Sequence, residues 1–203
     1  MAVLGDSCVS RKTGFRAFAS TLSFVMAIAV IATMLSAGRA SAQGTWTTKA
    51  PDPSVFNGSN AVISGAINGL IYRYGYNDTG VDSGTGTLSI YNPATNMWTT
   101  GAQPLLARTD ASVGVINGKM YVVGGCITSD CRIGITNQLE IYDPIANAWS
   151  FGASMVTGRS GAAAGVIAGK FYVAGGDLAC PPCTPTSSTE IYDPEANKFA
   201  VGS

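Results

Sequence analysis

The side chains whose types and spacing invite chemistry are two arginines and four cysteines. Arg108 and Arg159 stand 51 residues apart. A guanidinium presents a planar fork of donors that suits carboxylate recognition, and the same fork suits loop carbonyls. Cys126 and Cys131 are close in sequence, as are Cys180 and Cys183. Each pair can close a small disulfide loop in an oxidising compartment. Cys180-Pro181-Pro182-Cys183 is also a CxxC pair, but a redox role needs that motif at a helix start, which is missing here. A zinc site would have to join the two pairs across separate parts of the fold. The stretch from Asn77 to Gly84 is rich in oxygen ligands and glycine, yet it lacks EF-hand spacing and a closing bidentate Glu, and ordinary loop chemistry explains it as well.

The sequence contains no histidine. That excludes Ser-His-Asp and Cys-His catalysis and any histidine-ligated metal. Asp110 is the carboxylate nearest Arg108 in sequence, and a surface role suits it better than acid–base work. No catalytic residue, metal or cofactor is assigned. Arg108 and Arg159 are the candidate ligand-binding residues.

Residues 1–42 have the layout of a secretory signal. Arg11, Lys12 and Arg16 form a basic start, Ala17 to Gly38 carries no charge, and Ala40-Ser41-Ala42 offers a cleavage site. The competing reading is an uncleaved N-terminal anchor, the only membrane association expected. From residue 43 onward, eight Lys or Arg stand against eleven Asp or Glu, a net charge of −3 without any basic patch. Nucleic acid is therefore not an expected partner, since phosphate binding needs clustered Lys and Arg. The expected location is secreted or extracytoplasmic, which agrees with an even number of cysteines beyond the leader.

What must position these side chains is a repeat. Ile90-Tyr91-Asn92-Pro93, Ile141-Tyr142-Asp143-Pro144 and Ile191-Tyr192-Asp193-Pro194 are each followed by an Asn and an aromatic: Asn96 and Trp98, Asn147 and Trp149, Asn197 and Phe199. Ahead of each lies a second phrase, at Asn68-Gly69, Asn117-Gly118 and Ala168-Gly169. A period near 50 marks supersecondary modules that bury their faces against neighbours. In the second unit, four strands are predicted: A over 111–116, B over 119–123, C over 138–142 and D over 148–151. Asn117-Gly118 supplies a hairpin turn with positive φ at both centres. Asp143-Pro144 opens another turn, with the Asp able to bond backbone amides. Strand A should be innermost, where the third unit places the small residues Gly161 to Gly165. Trp98, Trp149 and Phe199 should lie on the wide outer edge.

The Asn-Gly-Lys-x-Tyr-Val-x-Gly-Gly phrase, the Glu-Ile-Tyr-Asp-Pro-x-x-Asn-x-Trp phrase and the Arg before strand A together resemble kelch repeats. The resemblance covers most of Trp46 to Val201. It implies an all-β fold of β-propeller blades, about 57–100, 108–151 and 159–201, within a segment 43–203. Three blades are fewer than the four or more that close a ring. Two expectations follow: the chain is the front of a longer propeller, or two chains self-associate into one six-bladed ring. Thr45 to Thr48, with Trp46 placed 52 residues before Trp98, is expected to be a strand D without its own A, B and C.

Antiparallel order puts the A–B and C–D turns on one face and the longer B–C and D–A loops on the other. Function is placed on the B–C and D–A face, because long loops on a rigid scaffold carry binding sites. By the resemblance, Arg108 and Arg159 would point to the mouth of the central channel and contact acidic groups. The expected function is an exported module that binds a protein or a glycan. The alternative is part of a carbohydrate-active propeller enzyme, similar to galactose oxidase or to a sialic-acid mutarotase.

Overall fold

The computed structural model describes residues 45–53, 63–77, 84–128, 131, 134–180 and 182–202. The chain divides into two units, Met1–Thr47 and Thr48–Ser203. In the first, only 45–47 are described, and they form no strand. The signal segment 1–42 and the core of the oxygen-rich loop, 78–83, lie outside the described residues.

The second unit holds twelve strands: β1 (Ile63–Ile67), β2 (Leu70–Asn77), β3 (Thr85–Asn92), β4 (Met97–Thr100), β5 (Ser112–Ile116), β6 (Lys119–Val123), β7 (Leu139–Asp143), β8 (Ala148–Phe151), β9 (Ala163–Ile167), β10 (Lys170–Ala174), β11 (Thr189–Asp193) and β12 (Lys198–Val201). They make three four-stranded antiparallel sheets in simple sequence order, the blades of a β-propeller. No helix occurs among the described residues.

Turn chemistry fixes the register. Asn117 and Gly118 have φ of 51° and 73°, so Ile116 faces Lys119 and Gly114 faces Tyr121. Each C–D turn is closed by its Asx side chain: Asp143 Oδ1 accepts from the amides of Ile145 and Ala146 at 2.9 and 3.3 Å. Asp193 and Asn92 do the same in the other blades. The Asn that ends the turn has two roles. Asn147 sits at positive φ, which Asn tolerates. Its Oδ1 accepts from Tyr142 Oη at 2.8 Å and from the amide of Ala102, in the preceding linker, at 2.8 Å. Trp149 Nε1 donates to the Ala102 carbonyl at 2.9 Å. Asn96 and Trp98 hold Ala50 in the same way. Asn197 holds Ala153, where Phe199 has no N–H to offer.

Blades stack through apolar faces. β1, β5 and β9 lie side by side, as expected for innermost strands, and β1 does not touch β9. Between the first two blades the core is built on Ile63, Ile67, Tyr72, Tyr74, Leu88, Met120, Val122 and Tyr142. Between the second and third it is built on Ile116, Tyr121, Val123, Leu139, Met155, Phe171, Val173, Tyr192 and Phe199. Each such large side chain contributes about 1.5–3 kcal/mol on burial. The outer aromatics pair with the repeated tyrosines: Trp98 with Tyr91, Trp149 with Tyr142 and Phe199 with Tyr192, at centroid distances of 4.9, 5.1 and 5.0 Å.

One expectation is corrected. Thr45 to Thr48 is not a strand, and Trp46 is fully exposed. A strand D needs a strand C beside it to complete its hydrogen-bond ladder, and no described strand supplies one. Ala50, a few residues later, does occupy the linker position, held by Asn96 and Trp98.

Candidate binding face

The two ends of the sheets differ in kind. One carries the two-residue hairpins 68–69, 117–118 and 168–169. The other carries the connections 101–111 and 152–162 between blades and the loops 124–138 and 175–188 within them. On this second face the buried charges are concentrated.

Arg108 is fully buried. Its Nη1 donates to the carbonyls of Gly124 and Gln138 at 3.0 and 2.7 Å, and its Nη2 donates to Glu140 Oε2 at 2.9 Å. Glu140 Oε1 accepts the amide of Leu106 at 2.9 Å. Burial pushes the Glu140 carboxyl above its ordinary value, against the opposing pull of Arg108 and of the Leu106 and Leu105 amides. Tyr74 of the first blade donates to the Leu106 carbonyl, and burial raises its hydroxyl pKa strongly. The third blade repeats the device. Arg159 donates to the carbonyls of Gly175 and Ser188 and to Glu190, the last at 2.7 Å. Glu190 accepts the amides of Val156 and Thr157 at 2.6 and 3.1 Å.

This corrects the sequence-based role of Arg108 and Arg159. With 0 % and 1 % of their surface exposed, they have no face to offer a ligand. Their donors turn inward, because the B and C strand ends present carbonyls and a carboxylate that would otherwise be buried unpaired. They brace the D–A loops against their own blades. The partner glutamates were legible: Glu140 and Glu190 stand at matching places two residues before the repeated Tyr. The first blade has Ser89 there and Ser59 at the arginine position, so both charges are lost together. A lone buried charge would be far more costly than none.

Backbone bridges stitch the loops to one another. Thr109 and Cys126 exchange amide bonds at 2.8 Å each, and Ser160 and Asp177 do so at 3.0 and 2.9 Å. Across the blade boundary, Gly125 N donates to Arg159 O at 2.8 Å and Gly161 N to Asp110 O at 2.9 Å. Gly124 and Gly125 have φ of 72° and 91°, and a Cβ on them would collide with the carbonyls of Arg159 and Thr109. That close approach explains the Gly-Gly pair.

The cysteines are joined within their own loops, Cys126 to Cys131 and Cys180 to Cys183. Asp110 lies beside the first pair, with ligand atoms of the three residues within 4.8 Å of one another. Both sulfurs are taken by the disulfide, so the group does not offer thiolate ligands. On the outside of the braced loops stand Leu105 and Val156, 52 % and 68 % exposed. Each lies three residues before its arginine, a correspondence that periodicity carried and sequence reading missed.

The Kelch motif family model matches residues 107–156 and 158–203. The second and third blades are thus kelch repeats, and the chain is similar to kelch-repeat β-propeller proteins. It is 31% identical to an F-box/kelch-repeat protein of Arabidopsis thaliana over 123 residues, which cover 55% of this chain and 25% of that protein. It is 34% identical to Kelch-like protein 15 of Danio rerio over 110 residues, 52% of this chain and 18% of that one. The chain thus spans a quarter or less of the length of these curated relatives. The solved structure of YjhT superposes with a TM-score of 0.66 at 20% identity, covering 80% of this chain and 57% of that structure. That likeness shows the fold alone. The kelch arginine and glutamate of the second and third blades both fall inside the matched segments.

Proposed function

We propose that this kelch chain is an exported interaction module that binds a protein partner through its B–C and D–A loop face. The observation that carries this is the pair Leu105 and Val156: exposed apolar side chains on loops whose amides are fixed by the buried Glu140 and Glu190. Apolar anchors held rigidly lose little entropy on binding. The paired cysteines and the leader-like segment 1–42 support export. The kelch relatives with F-box and Kelch-like names support an interaction module.

A protein partner is favoured over a glycan because exposed aliphatic anchors suit a protein surface better than a sugar's hydroxyls. The test is capture from the host's extracytoplasmic extract, before and after protease digestion, by the immobilised chain. A protein partner is retained only from the undigested extract, and Leu105→Asp with Val156→Asp abolishes its retention. A bound species that survives protease and is destroyed by periodate would replace this reading with glycan recognition.

A further inference from the structure

Among the described residues, one group brings metal-ligating atoms together: Asp110, on the connection into the second blade, with Cys126 and Cys131 of that blade's B–C loop. Their ligand atoms all lie within 4.8 Å of one another. The Cα atoms of Cys126 and Cys131 are 5.0 Å apart, and Asp110 Oδ2 lies 3.8 Å from Cys131 Sγ. Cys126 is fully buried, whereas Asp110 and Cys131 are half-buried, so the group can be reached from solvent.

Backbone bonds hold the carboxylate against the sulfurs without help from the disulfide. Thr109 and Cys126 exchange amide bonds at 2.8 Å each, and the Asp110 carbonyl accepts the Gly161 amide at 2.9 Å. Both contacts are independent of the sulfur–sulfur bond. The carboxylate itself accepts from the Thr109 hydroxyl at 3.2 Å, and among the described residues no lysine or arginine pairs with it. A disulfide sulfur has no proton to offer it. Asp110 thus stands beside two sulfurs that give it nothing while they are bonded to each other.

We propose that, once the disulfide is reduced, this group binds a thiophilic divalent ion of the zinc class through Cys126 Sγ, Cys131 Sγ and an Asp110 carboxylate oxygen. A dithiol reductant breaks the Cys126–Cys131 bond, leaves two thiols and is itself oxidised to its disulfide. The ion then replaces the two thiol protons, which pass to solvent. Two thiolates and a carboxylate are ligands that zinc accepts, and three of them leave a fourth tetrahedral position for water. The disulfide and the loaded site exclude each other, so the sulfur–sulfur bond gates the site. The pair Cys180 and Cys183 is not matched in this way, since no second such group occurs among the described residues.

The experiment titrates cobalt(II), a coloured stand-in for zinc, into the full chain carrying Cys8→Ser, Cys180→Ser and Cys183→Ser. Cys126 and Cys131 are then the only cysteines left. The chain is reduced, freed of reductant under nitrogen and compared with its oxidised form, with circular dichroism reading the fold. The reduced chain should bind one cobalt, with the charge-transfer and visible bands of thiolate-bound tetrahedral cobalt, and zinc should bleach them. The oxidised chain should show neither band. Asn suits the positive φ of residue 110, so Asp110→Asn should keep the fold. It should weaken cobalt binding at least about tenfold, the loss that removing even an outer partner of a metal ligand causes. A reduced chain that unfolds or binds no cobalt, one cobalt shared by two chains, equal binding by the oxidised chain, or unchanged affinity in Asp110→Asn would overturn the inference.

Discussion

Phe171 lies over Gly114 so closely that the glycine's missing Cβ is what lets the second and third blades touch. The β5 strand can be approached only because it carries no side chain at its centre. Gly114→Ala is therefore expected to destabilise by about 1–3 kcal/mol through overpacking. Urea unfolding followed by tryptophan fluorescence measures it, and an unchanged midpoint would show that the blade junction yields more readily than the packing implies.

The buried pair Arg108 and Glu140 gives a second test. Arg108→Ala alone strands the Glu140 carboxylate and two carbonyls, and is expected to cost about 3–5 kcal/mol. Arg108→Met combined with Glu140→Leu removes both charges and should cost markedly less than the two single losses added. A double-mutant cycle from chemical denaturation reads the coupling. Strict additivity would mean the pair does not act as a unit.

Ala168 occupies the first position of a hairpin at φ 49°, where the equivalent blades have Asn68 and Asn117. The left-handed region strains an alanine by on the order of 1 kcal/mol and suits asparagine. Ala168→Asn should raise the melting temperature, measured by circular dichroism. A lower melting temperature would contradict the assignment of strain to this turn.

Asp143 and Asp193 give a pH dependence with a definite sign. Bonds from Lys119 and from the Ala146 and Ile145 amides hold Asp143 below its ordinary 3.8, and Lys170 with the Ala196 and Glu195 amides does the same for Asp193. A carboxyl depressed in the folded state stabilises the fold above its unfolded value, and that contribution fades as pH falls below 3.8 toward the folded value. Melting temperature should therefore drop on acidification through this window. The drop should be shallower in Asp143→Asn with Asp193→Asn, which keeps an acceptor but loses the titrating charge. Equal slopes would assign the acid loss to other groups.

Much of this fold was legible because the period repeats local chemistry. The Asn-Gly turn, the Asx-Pro turn and the Tyr-to-aromatic spacing fixed strand order, and the observed strands of the second blade agree with the expected ones to within a residue. The site was less legible. Arg108 was read as pointing to the channel mouth, with loop carbonyls as the competing partners, because sequence shows a guanidinium's reach but not which carbonyls lie beneath it. Trp46 was read by its spacing to Trp98, although spacing cannot provide the neighbouring strand that a ladder needs. The clamp formed by Asn147 joins the linker of one blade to the turn of the next, a contact 45 residues apart in sequence. Its signal was present as an invariant Asn in all three units, but its role depends on how adjacent sheets are placed.

The most direct test of the binding account is amide hydrogen exchange on the chain, free and with its captured partner bound. Protection on binding is expected in the D–A and B–C connections, residues 103–111, 124–138, 152–161 and 175–188, with the hairpins at 68–69, 117–118 and 168–169 unchanged. Protection confined to those hairpins would contradict it.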